Sequence, residues 1–208
     1  MALLMSGFLQ VWFLIASLGT LYSIERAGRR ISFMVTGAAM SAVMVVLAVM
    51  IAIDTKTSGI VATVMIFAYQ AFYTWGFMAG VWTYGPEILP LEYRSKGVGL
   101  ANSTLWLFAF AVTMFIPSAI TNIGWRTYII FAVFNLSYVP IVYFFFPETS
   151  GLTLEMVDLA FMDETKSPVK RAAEIRKMLK NNEHVTLAEE IAAKVDLGET
   201  SEHVEQKV

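Results

Sequence analysis

The chain of 208 residues is 57% hydrophobic and only 15% charged, with a net charge of −2, whereas a soluble domain carries about 25% charged residues. That balance excludes a nucleic-acid binder, which needs a basic face, and the absence of cysteine excludes disulfides, thiolate catalysis and Cys-ligated metal. Most of the charge follows Phe146, which points to a transmembrane region over about residues 1–158 and a polar tail over 159–208.

The first apolar run, about residues 3–24, holds no charge and is followed by Arg26, Arg29 and Arg30. A signal peptide would place a cation ahead of its apolar core and a small-residue cleavage site behind it. The run therefore reads as a span whose C-terminal end is cytoplasmic by the positive-inside rule. A second uncharged run, 31–53, returns outward; about 20 residues rising 1.5 Å each cross the ~30 Å hydrocarbon core. Asp54 to Ser58 forms an outer connector, and a third span, about 60–84, comes back in.

That span ends at Tyr84–Gly97, where Glu87, Glu92, Arg94 and Lys96 stand between two apolar runs. A charge at the bilayer centre costs about 2.5–3.5 kcal/mol, so this stretch lies at a membrane face. Pro86 and Pro90 place a turn there, since neither has an N–H to donate within a helix. Spans over about 98–120 and 127–146 follow, joined by an outer turn at Thr121–Arg126. Inner segments then hold Arg26, Arg29, Arg30, Arg94, Lys96, Lys166, Lys170 and Arg171, against Lys56 and Arg126 outside. The expected fold is an all-α membrane bundle of about five transmembrane helices with its tail in the cytoplasm.

Gly37-x-x-x-Ser41 and Gly76-x-x-x-Gly80 match the spacing that lets helix backbones approach in lipid. Gly97-x-Gly99 lacks the third glycine and the preceding strand of a dinucleotide site. The sequons at Asn102 and Asn135 fall inside spans, away from glycosylation. In the tail, Ser167-Pro168 reads as a helix start with Ser at the N-cap, placing Val169, Ala172, Ala173 and Leu179 along one side. Thr186-Leu-Ala-Glu189 reads as a capping box, and the polar stretch from Gly198 as disordered. His184 and His203 are far apart in this polar tail and read as solvated, so no metal site is expected. No nucleophile–base pair is apparent; the expectation is a non-enzyme without cofactor.

Three charged patches stand out in order: Glu25-Arg-Ala-Gly-Arg-Arg30, then Pro86-Glu-Ile-Leu-Pro90 with Arg94 and Gly97, then Pro147-Glu-Thr-Ser-Gly151 with Leu154-Glu155. On these, Met1 to about Asp158 resembles the sugar porter family of the major facilitator superfamily, over that family's eighth to twelfth helices. The resemblance implies twelve helices in two halves, with a small molecule bound between them and alternating access by rocking. It implies a sugar as substrate, alone or with a proton, although the spans contain no carboxylate. It also implies a plasma-membrane setting and, as partner, an N-terminal half without which the chain is not expected to transport.

The resemblance further implies a cytoplasmic gate network in which Glu87 pairs with Arg29 or Arg30, joined by Glu25, Arg94 and Glu148. The plainer alternative is that these charges only set topology. Trp82 and Trp106 match substrate-side positions of the family, and an indole suits a sugar because its flat face packs on C–H groups while its N–H donates. Ala79 and Val81 stand where the family has prolines, and Leu105 and Ala109 where it has asparagines. Gln70, Tyr73 and Asn102 supply other polar groups, with bridging between helices as their alternative role. A non-transporting sensor or partner that keeps the fold is the competing reading.

Overall fold

The computed structural model describes residues 2–162 and 167–181. The readings made for Lys166, His184, His203, the Thr186 capping box and the stretch from Gly198 fall outside these residues. The described chain is helical: α1 (Ala2–Ala27), α2 (Arg29–Ile53), α3 (Lys56–Phe72), a π-helical segment (Tyr73–Met78), α4 (Ala79–Ile88), α5 (Arg94–Ile123), α6 (Arg126–Phe145), α7 (Leu154–Met162) and α8 (Pro168–Lys180). It divides into two compact units, Met1–Phe146 and Pro147–Val208.

In the first unit, four helical runs are long and apolar enough to cross a membrane: Arg29–Ile53, Lys56–Ile88, Arg94–Ile123 and Arg126–Phe145. Within α1 the apolar stretch Leu4–Thr20 is shorter. Helix α2 is the core. Its buried residues Phe33, Thr36, Gly37, Met40, Val43 and Leu47 recur at the three-to-four spacing of one helical stripe. Gly37 brings α2 against Tyr138 and Val139 of α6, and the Ser41 hydroxyl donates to the Ala132 carbonyl at 2.9 Å. On another side, Gly76 and Gly80 lie so close under Thr36 and Phe33 that neither position has room for a Cβ. Both small-residue motifs are therefore helix contacts.

Phe33 is almost fully buried, with the rings of Phe77, Tyr84, Tyr138 and Phe146 centred 5.7 to 6.4 Å away. Helix α1 is fastened by polar bonds to backbone. The Trp12 indole donates to the Phe67 carbonyl at 2.9 Å and the Trp75 indole to the Gly19 carbonyl at 3.2 Å. The Thr20 hydroxyl donates to the carbonyl of Thr74, inside the π segment, at 3.2 Å.

Two local expectations are corrected. Pro86 does not make the turn: α4 runs through it to Ile88, as α5 and α6 run through Pro117 and Pro140, because a proline forfeits one backbone bond and can be carried within a helix without ending it. The chain reverses only at Leu89–Tyr93, and α5 starts at Arg94, so Arg94 and Lys96 belong to its first turn. The outer turn contracts to Gly124–Trp125, with Gly124 at φ 56, a conformation that favours glycine.

In the second unit, α7 and α8 bury Leu159 and Ala160 against Ala172 and Ile175, flanked by Leu152, Met156, Met178 and Leu179. Ala173 is exposed, contrary to the side expected for it. Successive helical residues are 100° apart, so Ala172 can face α7 only if Ala173 turns away. Ser167 does precede α8 with Pro168 at its start, but its hydroxyl makes no capping bond.

Glu155 lies in the first turn of α7. Hydrogen bonds from its own backbone N–H and from the Thr153 hydroxyl hold its carboxyl below the ordinary 4.5, with partial desolvation opposing them. The folded value is the lower one, so the carboxylate supports α7 above the unfolded pKa and loses that role as pH falls through the folded value. An NMR titration of Glu155 should give a midpoint below 4.5, and Thr153→Ala should raise it; a wild-type midpoint at the ordinary value would contradict the bonding seen.

Candidate functional site

Helices α4 and α5 leave between them a cleft of about 110 Å3 lined by Val81, Trp82, Gly85, Pro86, Leu89, Val98, Ala101, Asn102 and Leu105. It unites two of the substrate-side candidates, Trp82 and Asn102, on facing helices. The sequence folds this way because Pro86 and Gly85 keep the end of α4 slim, while Gly97 seats the start of α5 on the side chain of Leu89. Of the lining residues only Trp82 and Asn102 have polar side-chain groups. That pair can stack on the C–H face of a ring and exchange hydrogen bonds with its hydroxyl groups.

The other candidates lie elsewhere. Trp106 is one turn beyond Asn102 on α5 and two-thirds exposed. Gln70 is on α3 and Tyr73 in the π segment, where its ring stacks on Phe77. Leu105 lines the cleft itself, at one of the positions where asparagine was the family's residue.

Among the charged candidates, the Arg29 Nη2 lies 3.0 Å from the Glu87 Oε1, with the two side chains 22% and 24% exposed. This bond ties the start of α2 to the last turn of α4. Directly inside it lies the aromatic cluster around Phe33, including Tyr84 of α4 and Phe146. Arg30 points to the end of α6: it donates to the Tyr143 carbonyl and its guanidinium lies 5.1 Å from the centre of the Tyr143 ring, a cation–π distance. Arg94 donates through Nε and Nη2 to the Leu89 carbonyl, both at 3.3 Å, which staples the α4–α5 turn. Glu148 belongs to the second unit, where its carboxylate accepts the Ser150 N–H at 3.1 Å. Glu25 is in the last turns of α1, and its side chain lies outside the described residues.

Of the expected network, the structure thus forms Arg29–Glu87 and gives Arg30 and Arg94 bonds to helix-end carbonyls. Sequence reasoning missed the π segment and Phe33. The π segment connects the cleft-bearing α4 to α3, and Phe33 is the residue on which α4 rests. The one available signal was Gly76 set within the aromatic run Tyr73–Phe77.

Together these features define an integral, multi-pass membrane protein with a partial bundle of the major facilitator type. The chain belongs to the sugar (and other) transporter family, whose pattern matches residues 2–161, a family of transporters and not an enzyme fold. It is 30% identical over 161 residues to the sugar transporter STL1 of Saccharomyces cerevisiae, covering 77% of this chain and 28% of that protein. It is 42% identical over 109 residues to a high-affinity glucose transporter of Kluyveromyces lactis, covering 52% of this chain and 19% of the other. A probable quinate permease of Aspergillus clavatus is 31% identical over 73% of this chain and 29% of its own length. The chain therefore spans well under half of each of these relatives. Among solved structures, the inward-open xylose transporter XylE of E. coli superposes with a TM-score of 0.69 over 75% of this chain and 35% of that one. At 22% identity that likeness establishes the fold.

Proposed function

We propose that the chain forms the eighth to twelfth helices of a carbohydrate transporter that works by alternating access, with Trp82 and Asn102 contributing one wall of the sugar site. The observation that carries the reading is the shared α4–α5 cleft, whose two lining residues with polar side chains, Trp82 and Asn102, are of types suited to a hydroxylated ring. At about 110 Å3 it is smaller than the roughly 300 Å3 or more of ordinary ligand pockets, so it supplies part of a site completed by other helices. The names of the relatives, sugar and glucose transporters, favour a sugar. The quinate permease marks another ring bearing several hydroxyl groups as the nearest alternative within the same chemistry. Arg29–Glu87 is the inner gate, closing the cytoplasmic end of the bundle in one state and opening in the other. Among the four runs of membrane-crossing length the one carboxylate is that of Glu87, in the last turn of α4.

In a transporter containing this segment, Trp82→Ala is expected to lower sugar uptake about five- to tenfold at unchanged surface level, in line with the loss of one aromatic contact of about 1 kcal/mol. Trp82→Phe should retain part of it. Uptake unaffected by Trp82→Ala would remove the cleft from the substrate path. The apolar Leu105 in the cleft wall favours the second reading, a sensor with a transporter fold. Binding of sugar without sugar-dependent flux would select it.

A further inference from the structure

Helix α8 carries Lys170, Arg171, Arg176, Lys177 and Lys180 against one acid, Glu174, and neither transport nor the packing of the tail uses most of that charge. Arg171 is buried with its Nη1 3.3 Å from the Glu174 Oε2, so these two offset each other. At 100° per residue Lys170, Arg176 and Lys177 occupy an arc of about 120° whose middle lies about 160° from Ile175, which is buried against α7. Lys170 and Lys177 are exposed, and so is Ala173 between them. So short a side chain in the middle of the arc lets a flat surface come close.

We infer that α8 lies on the surface of the protein's own bilayer, with this arc against anionic phospholipid headgroups. Three observations select lipid over a protein partner. A basic amphipathic helix that enters a protein groove does so with its apolar side, and here that side is already covered by α7. The seven residues 147–153 that join the last span to α7 reach no more than about 25 Å even fully extended, so the α7–α8 pair stays near the bilayer. An anionic surface attracts each nearby Lys or Arg by about fivefold in binding, and three cations on one arc sum such contributions where the same charges scattered would not. The inference rests on the cytoplasmic placement of the tail only for which leaflet is used, the inner leaflet being the anionic one.

The test uses the full chain in lipid nanodiscs. The natural sequence has no cysteine, so Ala173→Cys gives a single site for an environment-sensitive fluorophore, read by quenching from nitroxide-headgroup lipid. The expected result is quenching about threefold or more stronger in discs with about 30% anionic lipid than in zwitterionic discs. It should fall to the zwitterionic level at about 1 M salt, where the screening length is about 3 Å, and in both Lys170→Gln/Lys177→Gln and Lys170→Glu/Lys177→Glu. Equal quenching in the two lipids, or quenching indifferent to salt, overturns the inference. So does anionic-lipid quenching that appears only after residues 183–208 are removed, which would give the arc to the acidic end of the same chain. Symmetric discs present anionic lipid on both faces, so a negative result here is separate from a wrong topology. The latter is read by labelling the same cysteine in intact cells with an impermeant reagent.

Discussion

Gly76→Leu is expected to destabilise the solubilised chain by about 3 kcal/mol, at the upper end of the range for overpacking, and to lower its melting temperature by about 6–12 °C on the scaling for a chain of this size. A Cβ at position 76 would fall on the Thr36 side chain, including its Cβ at 2.6 Å, and a Cβ cannot rotate away. Thr36 is itself held, its hydroxyl donating to the Ser32 carbonyl at 2.7 Å, so relief requires α2 and the π segment to separate. Even Gly76→Ala should melt below wild type, although alanine favours a helix over glycine by about 0.5–1 kcal/mol. The opposite sign is expected at Gly59 and Gly99, where an added Cβ meets nothing within 4 Å and only the backbone term acts. Thr36→Gly in the Gly76→Ala background should recover part of the loss by moving the notch to α2. A Gly76→Ala chain that melts at or above wild type would show that the two backbones are not in contact there.

The same contact marks the boundary of what the sequence discloses. The spans are legible because a charge in lipid is so costly that 31–53 and 98–120 could carry none, and their ends are where Arg29 and Arg94 appear. The pairing of Glu87 is legible only through the resemblance to the sugar porters, which leaves Arg29 and Arg30 open as partners; the structure puts Arg29 at 3.0 Å. The π segment is not legible. A helical wheel drawn at 3.6 residues per turn through 60–84 is right up to Tyr73, but each extra residue in a π turn swings everything beyond it by about 100°, so Trp82 cannot be assigned to a face from spacing. Pro86 misled for the converse reason: proline signals one missing bond, and one missing bond need not stop a helix, as Pro117 and Pro140 also show. For Arg30, the charge pattern gave no hint of the Tyr143 ring and carbonyl that it meets; the last carbonyls of α6 have no N–H within their own helix.

Glu87→Arg, in a transporter containing this segment, is expected to cut uptake by between tenfold and a hundredfold, and Arg29→Glu/Glu87→Arg to restore most of it. Both side chains are about one-quarter exposed, an environment between surface pairs worth about 0–1 kcal/mol and buried pairs whose disruption costs about 3–5 kcal/mol. An intermediate value of about 1–3 kcal/mol corresponds to a five- to hundredfold change in an equilibrium. That is enough to displace a two-state gate whose conformations differ by a few kcal/mol. Putting two arginines 3.0 Å apart adds repulsion to the lost bond, which sets the effect at the upper part of that range. The bond joins α4 to α2 just outside the aromatic cluster of Phe33, Tyr84 and Phe146, so releasing it frees the helix that carries Trp82 while leaving its packing intact. Charge as a topology signal predicts something different. Both reversed residues lie on the same membrane face, so the double reversal leaves the summed charge there as it was in wild type, and Glu87→Arg only adds positive charge inside. Under that reading the single variant would insert and transport normally. If instead the single variant is impaired and the double reversal is no better, the two charges act independently and the gate assigned to Arg29 and Glu87 is wrong.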